Sequence, residues 1–555
     1  MKSENAEQAL MREQKYRRYF MDPDGKGFET LIDSIKKMLP TLKVWWLGEN
    51  PKVQNQDLKE KKEKLHTYIK NSDFTAKDSQ LVEFFERILV NLKFNRRNFI
   101  NIHPSPFLPS ILASFMVSLQ NPNNITEHMS PATTSLEKEC IDFYKQLIGY
   151  PSDSWGTLVS DGTLANLTAM LVARDEKYKI NNAPQKELLG KEGLYSKKSG
   201  VIITTTNAHY SIEKCIWILG MGTQNLIKIP VAIDESRFKS ENLLEEDRFE
   251  KLDEPDNDSI LELKNFYEGK QEPFALIPRK QDFEKTLNNI IENQTPIIAI
   301  ITTAGTTQTG TLENITELVE LKSNYATYFH VDAAIGGYAL CIPEIKRSLQ
   351  GIKNADSVTI DGHKLGFLHY PCGAIIFKKQ NYKELIEHTA PYLHELSPTI
   401  EGSRPGTHAA ACWLAHRILA EEGYRNIIEN LLNQTKYLAT RLKEEDKYQI
   451  YHKIHLNTIV FGLQQPEVSR KKINQWNLQI VERINGQGKF LVSSTQTLSD
   501  IKVRNTPNDP KSELVDIHGI RILLMNPYTD DNTIEEFIAE LNKATDLSGQ
   551  LLRIK

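Results

Sequence analysis

The chain has 555 residues, 25% of them charged and 40% hydrophobic, with a formal net charge of −4. So even a balance excludes a strongly basic nucleic-acid binder and an acidic-tail protein. The length allows about three or four domains, or one large core with flanking pieces. Five scattered cysteines (Cys140, Cys215, Cys341, Cys372, Cys412) form no Cys-x-x-Cys pair and no Cys/His spacing of a zinc site, so no metal is expected. The charged opening MKSENAEQALMREQKYRRYF lacks the apolar stretch of a secretory signal. No run approaches the roughly 20 apolar residues of a membrane span. The expectation is a soluble, cytoplasmic protein in a reducing compartment.

Residues 1–99 read as a polar, helical N-terminal segment, with Phe28, Leu31, Ile32, Ile35, Met38 and Leu39 at helical spacing. Asp22–Gly27 has the acids of a calcium loop only in part and its glycine out of place, so it reads as a turn. From 100 to 408 the texture is that of a large α/β domain. Val201–Thr205, Ile297–Thr302, Phe329–Val331, Ser357–Ile360 and Ala374–Phe377 are short runs rich in branched or aromatic residues, separated by helix-length stretches. That alternation predicts βαβ units and a mostly parallel sheet, whose ligands sit beyond the carboxyl ends of its strands. A segment at about 235–280, dense in Asp, Glu and Lys, reads as a solvated insertion. From 409 to 555 a helical stretch (AAACWLAHRILAEEG), strands at Thr458–Leu463 and Gly519–Met525 and an amphipathic helix at Ile534–Lys543 predict a smaller α+β domain.

Four polar turns follow strand-like runs, and a fifth opens a helix. In Ser357–Gly366 (SVTIDGHKLG) a strand ends in a turn carrying His363 and Lys364, and an amine there could condense with a carbonyl. In Tyr328–Gly337 (YFHVDAAIGG) Asp332 ends an apolar strand and small residues follow. An acid so placed could pair with a pyridine nitrogen or simply cap the next helix. Asp332 and Lys364 are 32 residues apart (364 − 332), one strand–helix–strand crossover, which brings both to one sheet edge. Leu158–Leu167 (LVSDGTLANL) opens a helix whose free N–H groups could cradle a phosphate at Gly162 and Thr163, or whose Asp161 is only its cap. His209, in Asn207-Ala-His209-Tyr210-Ser211, could stack on a flat ring or be structural. The hydroxyl-rich Thr302–Thr307 could bond a cofactor oxygen or a substrate carboxylate.

Taken in order, DGT-LANL, NAHYS--K, TTAGTT--G, HVDAAIGGY, TIDGHKLG and EGSRPG resemble the group II pyridoxal-phosphate-dependent amino acid decarboxylases of fold type I. The resemblance runs from about His103 to the C-terminus. It implies a mostly parallel central sheet flanked by helices, pyridoxal 5'-phosphate as cofactor, and a homodimer with active sites at the subunit interface. It further implies that Lys364 carries the cofactor as a Schiff base, His209 stacks on the pyridine ring, Asp332 pairs with the ring nitrogen and Ala334 packs on the other face. Asp161, Gly162, Thr163 and His363 would hold the phosphate, and Thr306 would lie near the ring oxygen. Asn121–Asn124 and Ser130–Thr134 would border the entrance. The Gly402–Gly406 turn, with Ser403, would approach the neighbouring subunit's phosphate.

Two departures bear on the chemistry. The mobile-loop tyrosine that serves many family members as proton donor has only Tyr392 and His394 as candidates here, in HTAPYLHELSPTI. The stretch SPTIEGSRPGTHAAACW also resembles sphingosine-phosphate lyases, which cleave a carbon–carbon bond. The implied activity is therefore decarboxylation of an L-amino acid to its amine and CO2, with such a lyase, a transaminase or an inactive cofactor-fold binding protein as alternatives. For the substrate, Phe107, Phe115 and Met129 could line an aromatic pocket. Arg96, Arg97 and Arg404 are available to receive an acidic side chain, and His103, like Arg404, is a substrate-binding candidate. The reading leans to an aromatic amino acid such as tyrosine over an acidic one such as glutamate or aspartate.

Overall fold

The computed structural model describes Lys36 and residues 96–100, 102, 104–178, 199–231, 274–387, 399–496, 498, 501–506, 509 and 511–552. The expected N-terminal helices, the calcium-like turn, most of the charged insertion, His103, Tyr392 and His394 lie outside these residues. The chain divides into Met1–Lys93 with Arg483–Phe490, and the remainder. Both larger sheets belong to the remainder.

The main sheet has seven strands in the order β1-β7-β6-β5-β4-β2-β3. They are β1 Trp155–Val159, β2 Val201–Thr205, β3 Leu226–Ile229, β4 Ile297–Thr303, β5 Tyr328–Asp332, β6 Ser357–Asp361 and β7 Gly373–Phe377. Strands β3, β2, β4, β5 and β6 are mutually parallel. β7 runs antiparallel to both β6 and β1, so β1 points the same way as the parallel set. Two reversals thus bring the end of β1 to the edge where β2, β4, β5 and β6 also end. β2, β4, β5, β6 and β7 are buried along their whole length. Strands covered on both faces favour continuous apolar runs, as IIAIITT shows; in SVTID the buried polar residues Ser357, Thr359 and Asp361 alternate with Val358 and Ile360. Ile300, Phe329, Val358 and Ile360 are wholly shielded from water. Burial of each such side chain stabilises the fold by about 1.5–3 kcal/mol.

The covering helices are α1 Leu108–Ser118, α2 Pro131–Ile148, α3 Gly162–Lys177, α4 Ser211–Ile218, α5 Lys280–Glu292, α6 Pro343–Ser348, α7 Gly406–Glu444 and α8 Asp531–Leu552. α2 begins on a proline, whose missing N–H costs nothing there, and ends at Gly149 with φ +85°. α7 is two helices joined across a kink at Ala420. The second sheet has the order β10-β13-β9-β8, all antiparallel, with β8 Tyr448–Ile450, β9 Thr458–Leu463, β10 Ser493–Thr495 and β13 Gly519–Leu523. β11 Lys502–Arg504 and β12 Leu514–Asp516 pair separately.

The architecture is the expected one, with local differences. β1 and β3 were not legible in advance: one contains a glycine, and the other has four residues with a lysine among them. The charged insertion does not stay solvated to residue 280. Phe274 and Leu276 are buried with Tyr451, Val460 and Ile517 of the second sheet's neighbourhood. Two apolar side chains that close a core outweigh the polarity of the sequence around them.

Candidate active site

Five strand ends meet around a cavity of about 200 Å³ lined by Asp161, Gly162, Thr163, Asn166, His209, Asp332, Ala334, Asp361, His363 and Lys364, among others. After β1, Asp161 caps α3 by accepting a hydrogen bond from the Leu164 N–H at 2.9 Å. Capping and cavity lining are therefore both true of it, and the free N–H groups of the first turn stand at the cavity. After β6, Lys364 Nζ lies 2.9 Å from Asp361 Oδ2. Burial by itself would favour the neutral amine. The carboxylates of Asp361 and Asp332 outweigh it, and the ammonium is held above its ordinary range. Burial pushes Asp361 up to about 6, against the pull of Lys364. Among the described residues no donor reaches Asp361 Oδ1. The carboxylate is wedged between glycines: a Cβ at Gly162 would stand 2.9 Å from Oδ2, and one at Gly373 2.9 Å from Oδ1.

At the end of β5, Asp332 accepts hydrogen bonds from Asn166 Nδ2 at 2.9 Å and from the Ala334 N–H at 3.1 Å. Asn166 in turn is bonded to His330, Thr359 and Ser211. After β2, His209 Nδ1 lies 2.9 Å from Ser211 Oγ, and burial lowers the imidazole below its ordinary range. His363 Nδ1 lies 2.8 Å from the Cys372 carbonyl oxygen and 3.2 Å from the Cys372 backbone nitrogen, and its ring lies 3.9 Å from that of Tyr370, which also lines the cavity.

Other expected residues fall elsewhere. Thr306 is buried but does not line the cavity. Its hydroxyl is used inside its own turn, by Thr309 Oγ1 at 2.9 Å and the Thr311 N–H at 3.0 Å. Thr303, Gly305 and Thr307 line the cavity instead. Arg521 of β13 fastens this turn, donating to the carbonyls of Thr307 and Gln308. Arg404 is not a cavity residue either. Its guanidinium pairs with Glu137 at 2.6 Å and donates to the Leu158 and Asn124 carbonyls, beside a separate cavity of about 420 Å³. Ser403 accepts from Asn123 Nδ2 at 3.0 Å and, within one chain, does not reach the site. Arg96 and Arg97 pair with Asp530 and Glu536 of the C-terminal region. Phe107, Phe115 and Met129 do not line the cavity.

Asp361, Asn166 and Tyr370 were not singled out by the sequence reading. Asp361 and Asn166 stood inside the quoted motifs, and their signal was spacing: three residues before Lys364, and four after Gly162. The fold also assembles what no spacing announced. Cys140, Cys412 and His416 come together in the core from α2 and α7, with donor atoms within 4.8 Å of one another. There His416 Nε2 is occupied by the Tyr338 hydroxyl at 2.9 Å, and burial pushes the Cys140 thiol well up.

A buried amine, an acid at a neighbouring strand end, an imidazole and an open helix start define a site for a phosphorylated carbonyl cofactor. The family model for the pyridoxal-dependent decarboxylase conserved domain matches residues 76–248 and 271–464, and the chain belongs to that family. An L-2,4-diaminobutyrate decarboxylase of Acinetobacter baumannii is 23% identical, with 80% of this chain and 81% of that one covered. An L-tyrosine decarboxylase of Enterococcus faecium is 22% identical, with 85% and 90% covered. Among solved structures, Catharanthus roseus tryptophan decarboxylase in complex with L-tryptophan matches with a TM-score of 0.69 at 16% identity, over 96% of this chain and 98% of that one. The protein is a pyridoxal-phosphate-dependent amino acid decarboxylase. The donor set of the cavity fits the cofactor: Lys364 would be the amine to receive its aldehyde, the N–H groups of α3 would receive its phosphate, and Asp332 would offer an acceptor to its protonated ring nitrogen.

Proposed function

We propose that the substrate is an aromatic L-amino acid such as tyrosine, converted to its amine and CO2. The observation that carries this reading is the composition of the cavity wall. Ile102, Tyr210, Ile335 and Tyr370 contribute apolar and aromatic surface, and no arginine is among the described lining residues. An acidic side chain needs a guanidinium or ammonium partner when taken from water. Arg404, Arg96 and Arg97 are all engaged by other carboxylates.

Bound here, pyridoxal phosphate supplies an electron sink for the pair left on the α-carbon when CO2 departs. The chain's own groups do the rest. Lys364 holds the cofactor and, when released, is received as an ammonium by Asp361, whose Oδ2 already stands 2.9 Å away. Asp332 faces the ring nitrogen, while His209 and Ala334 bound the ring's faces. Asp161, Gly162, Thr163 and His363 surround the phosphate. Thr307 and Thr303, rather than Thr306, offer hydroxyls toward the ring or substrate. Tyr392 remains the proposed proton donor.

We further propose a homodimer. α1 exposes Leu108, Ile111, Leu112, Phe115 and Met116, an apolar stripe at helical spacing that faces solvent in the single chain. A second copy would cover such a stripe and bring its Gly402–Gly406 turn toward the phosphate. All five cysteines are free and buried, which supports a reducing, cytoplasmic location. We keep the organisation into an N-terminal segment (1–99), a large domain (100–408) and a C-terminal domain (409–555).

The test is mass spectrometry of the cofactor-loaded protein with a pool of the twenty L-amino acids. Depletion of tyrosine or another aromatic residue, with its amine appearing, is expected. Depletion of aspartate or glutamate alone overturns the substrate reading. If nothing is consumed but a phosphorylated amino alcohol is cleaved, the carbon–carbon lyase reading replaces it. The dimer is checked by light scattering: a monomer at micromolar concentration would refute it.

A further inference from the structure

The buried polar network behind Asp332 has a direction. Asn166 is 1% exposed, and its amide makes four side-chain hydrogen bonds. Nδ2 donates to Asp332 Oδ2 at 2.9 Å and to Ser211 Oγ at 3.1 Å. Oδ1 accepts from Thr359 Oγ1 at 2.8 Å and lies 3.0 Å from His330 Nε2. A primary amide has two N–H donors and two acceptor sites, so this one is saturated. Its orientation is not free. Turning it over would set Oδ1 against the Asp332 carboxylate, acceptor to acceptor, and Nδ2 against a hydroxyl that donates to it now.

Each partner is then fixed in turn. His330 must carry its proton on Nε2 to donate to Asn166, so Nδ1 accepts from Ser357 Oγ at 2.7 Å. Burial lowers His330 to about 4, which keeps it neutral and able to play both parts. On the other branch, Ser211 Oγ receives from Asn166 and turns its own proton to His209 Nδ1. The Ser211 backbone N–H also points to that atom, at 3.3 Å. His209 Nδ1 is therefore an acceptor, and its ring proton sits on Nε2. The charged groups that act on this region are Asp332, Lys364, Asp361 and Asp161 around His209, and Glu313 beside Asp332.

We propose that Asn166 is a positioning residue that sets two groups at once: the aim of the Asp332 carboxylate and the Nε2–H tautomer of His209. One amide on α3 thereby couples the group at the cofactor's ring nitrogen to the group on its ring face through Ser211, while His330, Thr359 and Ser357 of β5 and β6 hold the amide in that orientation. The inference rests on the reading of Asp332 as the ring-nitrogen partner. A side chain that only filled space would leave the cofactor's electronic state untouched.

The experiment compares wild type, Asn166→Leu, Thr359→Val, Ser211→Ala and Asp332→Asn. Three quantities are read: pyridoxal phosphate affinity, the pH dependence of the bound cofactor's absorption, and the melting temperature without cofactor. Asn166→Leu keeps the volume and removes all four bonds. It is expected to weaken cofactor binding about tenfold or more and to move the absorption midpoint by about one pH unit. Ser211→Ala cuts only the His209 branch and is expected to shift the spectrum with a smaller loss of affinity. Unchanged affinity and an unchanged absorption profile in Asn166→Leu, with only a lower melting temperature, would overturn the proposal. Should Asn166→Leu fail to fold, Thr359→Val decides: it removes the hydroxyl that locks the amide, and an unaltered profile there is equally fatal. If Asp332→Asn itself leaves the profile unchanged, the ring-nitrogen assignment falls and takes this inference with it. If Asp332→Asn shifts it and the Asn166 and Thr359 variants do not, only the inference falls.

Discussion

Two buried ion pairs lie near the ends of this sheet, and they are built oppositely. Arg404–Glu137 is closed. Glu137 accepts from Arg404, from the Thr157 hydroxyl at 2.9 Å, from the Leu158 N–H at 3.0 Å and from Asn124 Nδ2 at 3.1 Å. Arg404 also donates to two carbonyls through Nη1 and Nη2, and its buried Nε alone has no partner among the described residues. Lys364–Asp361 is open. The ammonium pairs with Asp361 Oδ2, Oδ1 has no partner among the described residues, and both side chains face the cavity. A charge held on several sides by backbone and carboxylate, away from the cavity, is part of the scaffold. A charge left with spare bonding capacity in a cavity is available for chemistry.

The comparison is broken most severely at Lys364. Lys364→Ala is expected to abolish turnover while the chain still binds pyridoxal phosphate non-covalently. Borohydride reduction followed by mass spectrometry of the intact protein checks it: cofactor still fixed to the variant would assign the covalent bond to another lysine. At the closed pair the expected loss is one of stability. Arg404→Met leaves Glu137 buried without its counter-charge, and such a stranded charge costs about 3–5 kcal/mol. Thermal or urea unfolding should show the loss, and Glu137→Leu added to Arg404→Met should recover most of it. If the single variant unfolds like wild type, the pair is not part of the scaffold.

A smaller, pH-dependent effect contrasts the two sheets. His452, beside the second sheet, is buried, accepts from the Val460 N–H through Nε2 at 3.0 Å, and has Nδ1 3.0 Å from the Lys453 carbonyl. Burial lowers it to about 4, as it does His330 on β5 of the main sheet. The unfolded chain takes up these protons near pH 6.5 and the folded chain only near 4. Between those values the unfolded state binds more protons, so stability is present above pH 6.5 and is lost as pH falls toward 4. Each histidine contributes up to about 3 kcal/mol to that slope. His452→Gln should flatten the decline of the melting temperature over this range without altering the cofactor's absorption. A decline as steep as in wild type would show that His452 does not contribute.

Much of the site was legible because its residues sit at strand ends. Asp332 and Lys364 each follow an apolar run by a fixed short offset. A parallel sheet with one crossover between β5 and β6 must deliver both to the same edge. Thr306 shows where that logic stops. The run Thr302–Thr307 offers several hydroxyls in a row, and which of them faces the cavity depends on a turn closed by Thr309, Thr311 and a distant Arg521. Arg404 fails for a similar reason: its partner Glu137 lies 267 residues earlier in the chain.

The sequence by itself determined the βαβ alternation, the order of the polar turns, the family and the cofactor, because these depend on local patterning and on residues close together in the chain. Only the tertiary structure decided that Asn166 bonds both Asp332 and Ser211, that Asp361 holds Lys364 between two glycines, and that Arg404 is a scaffold cation. Those are contacts between elements. Their partners are chosen by how strands and helices pack, and no spacing along the chain encodes which of several like side chains will be turned inward.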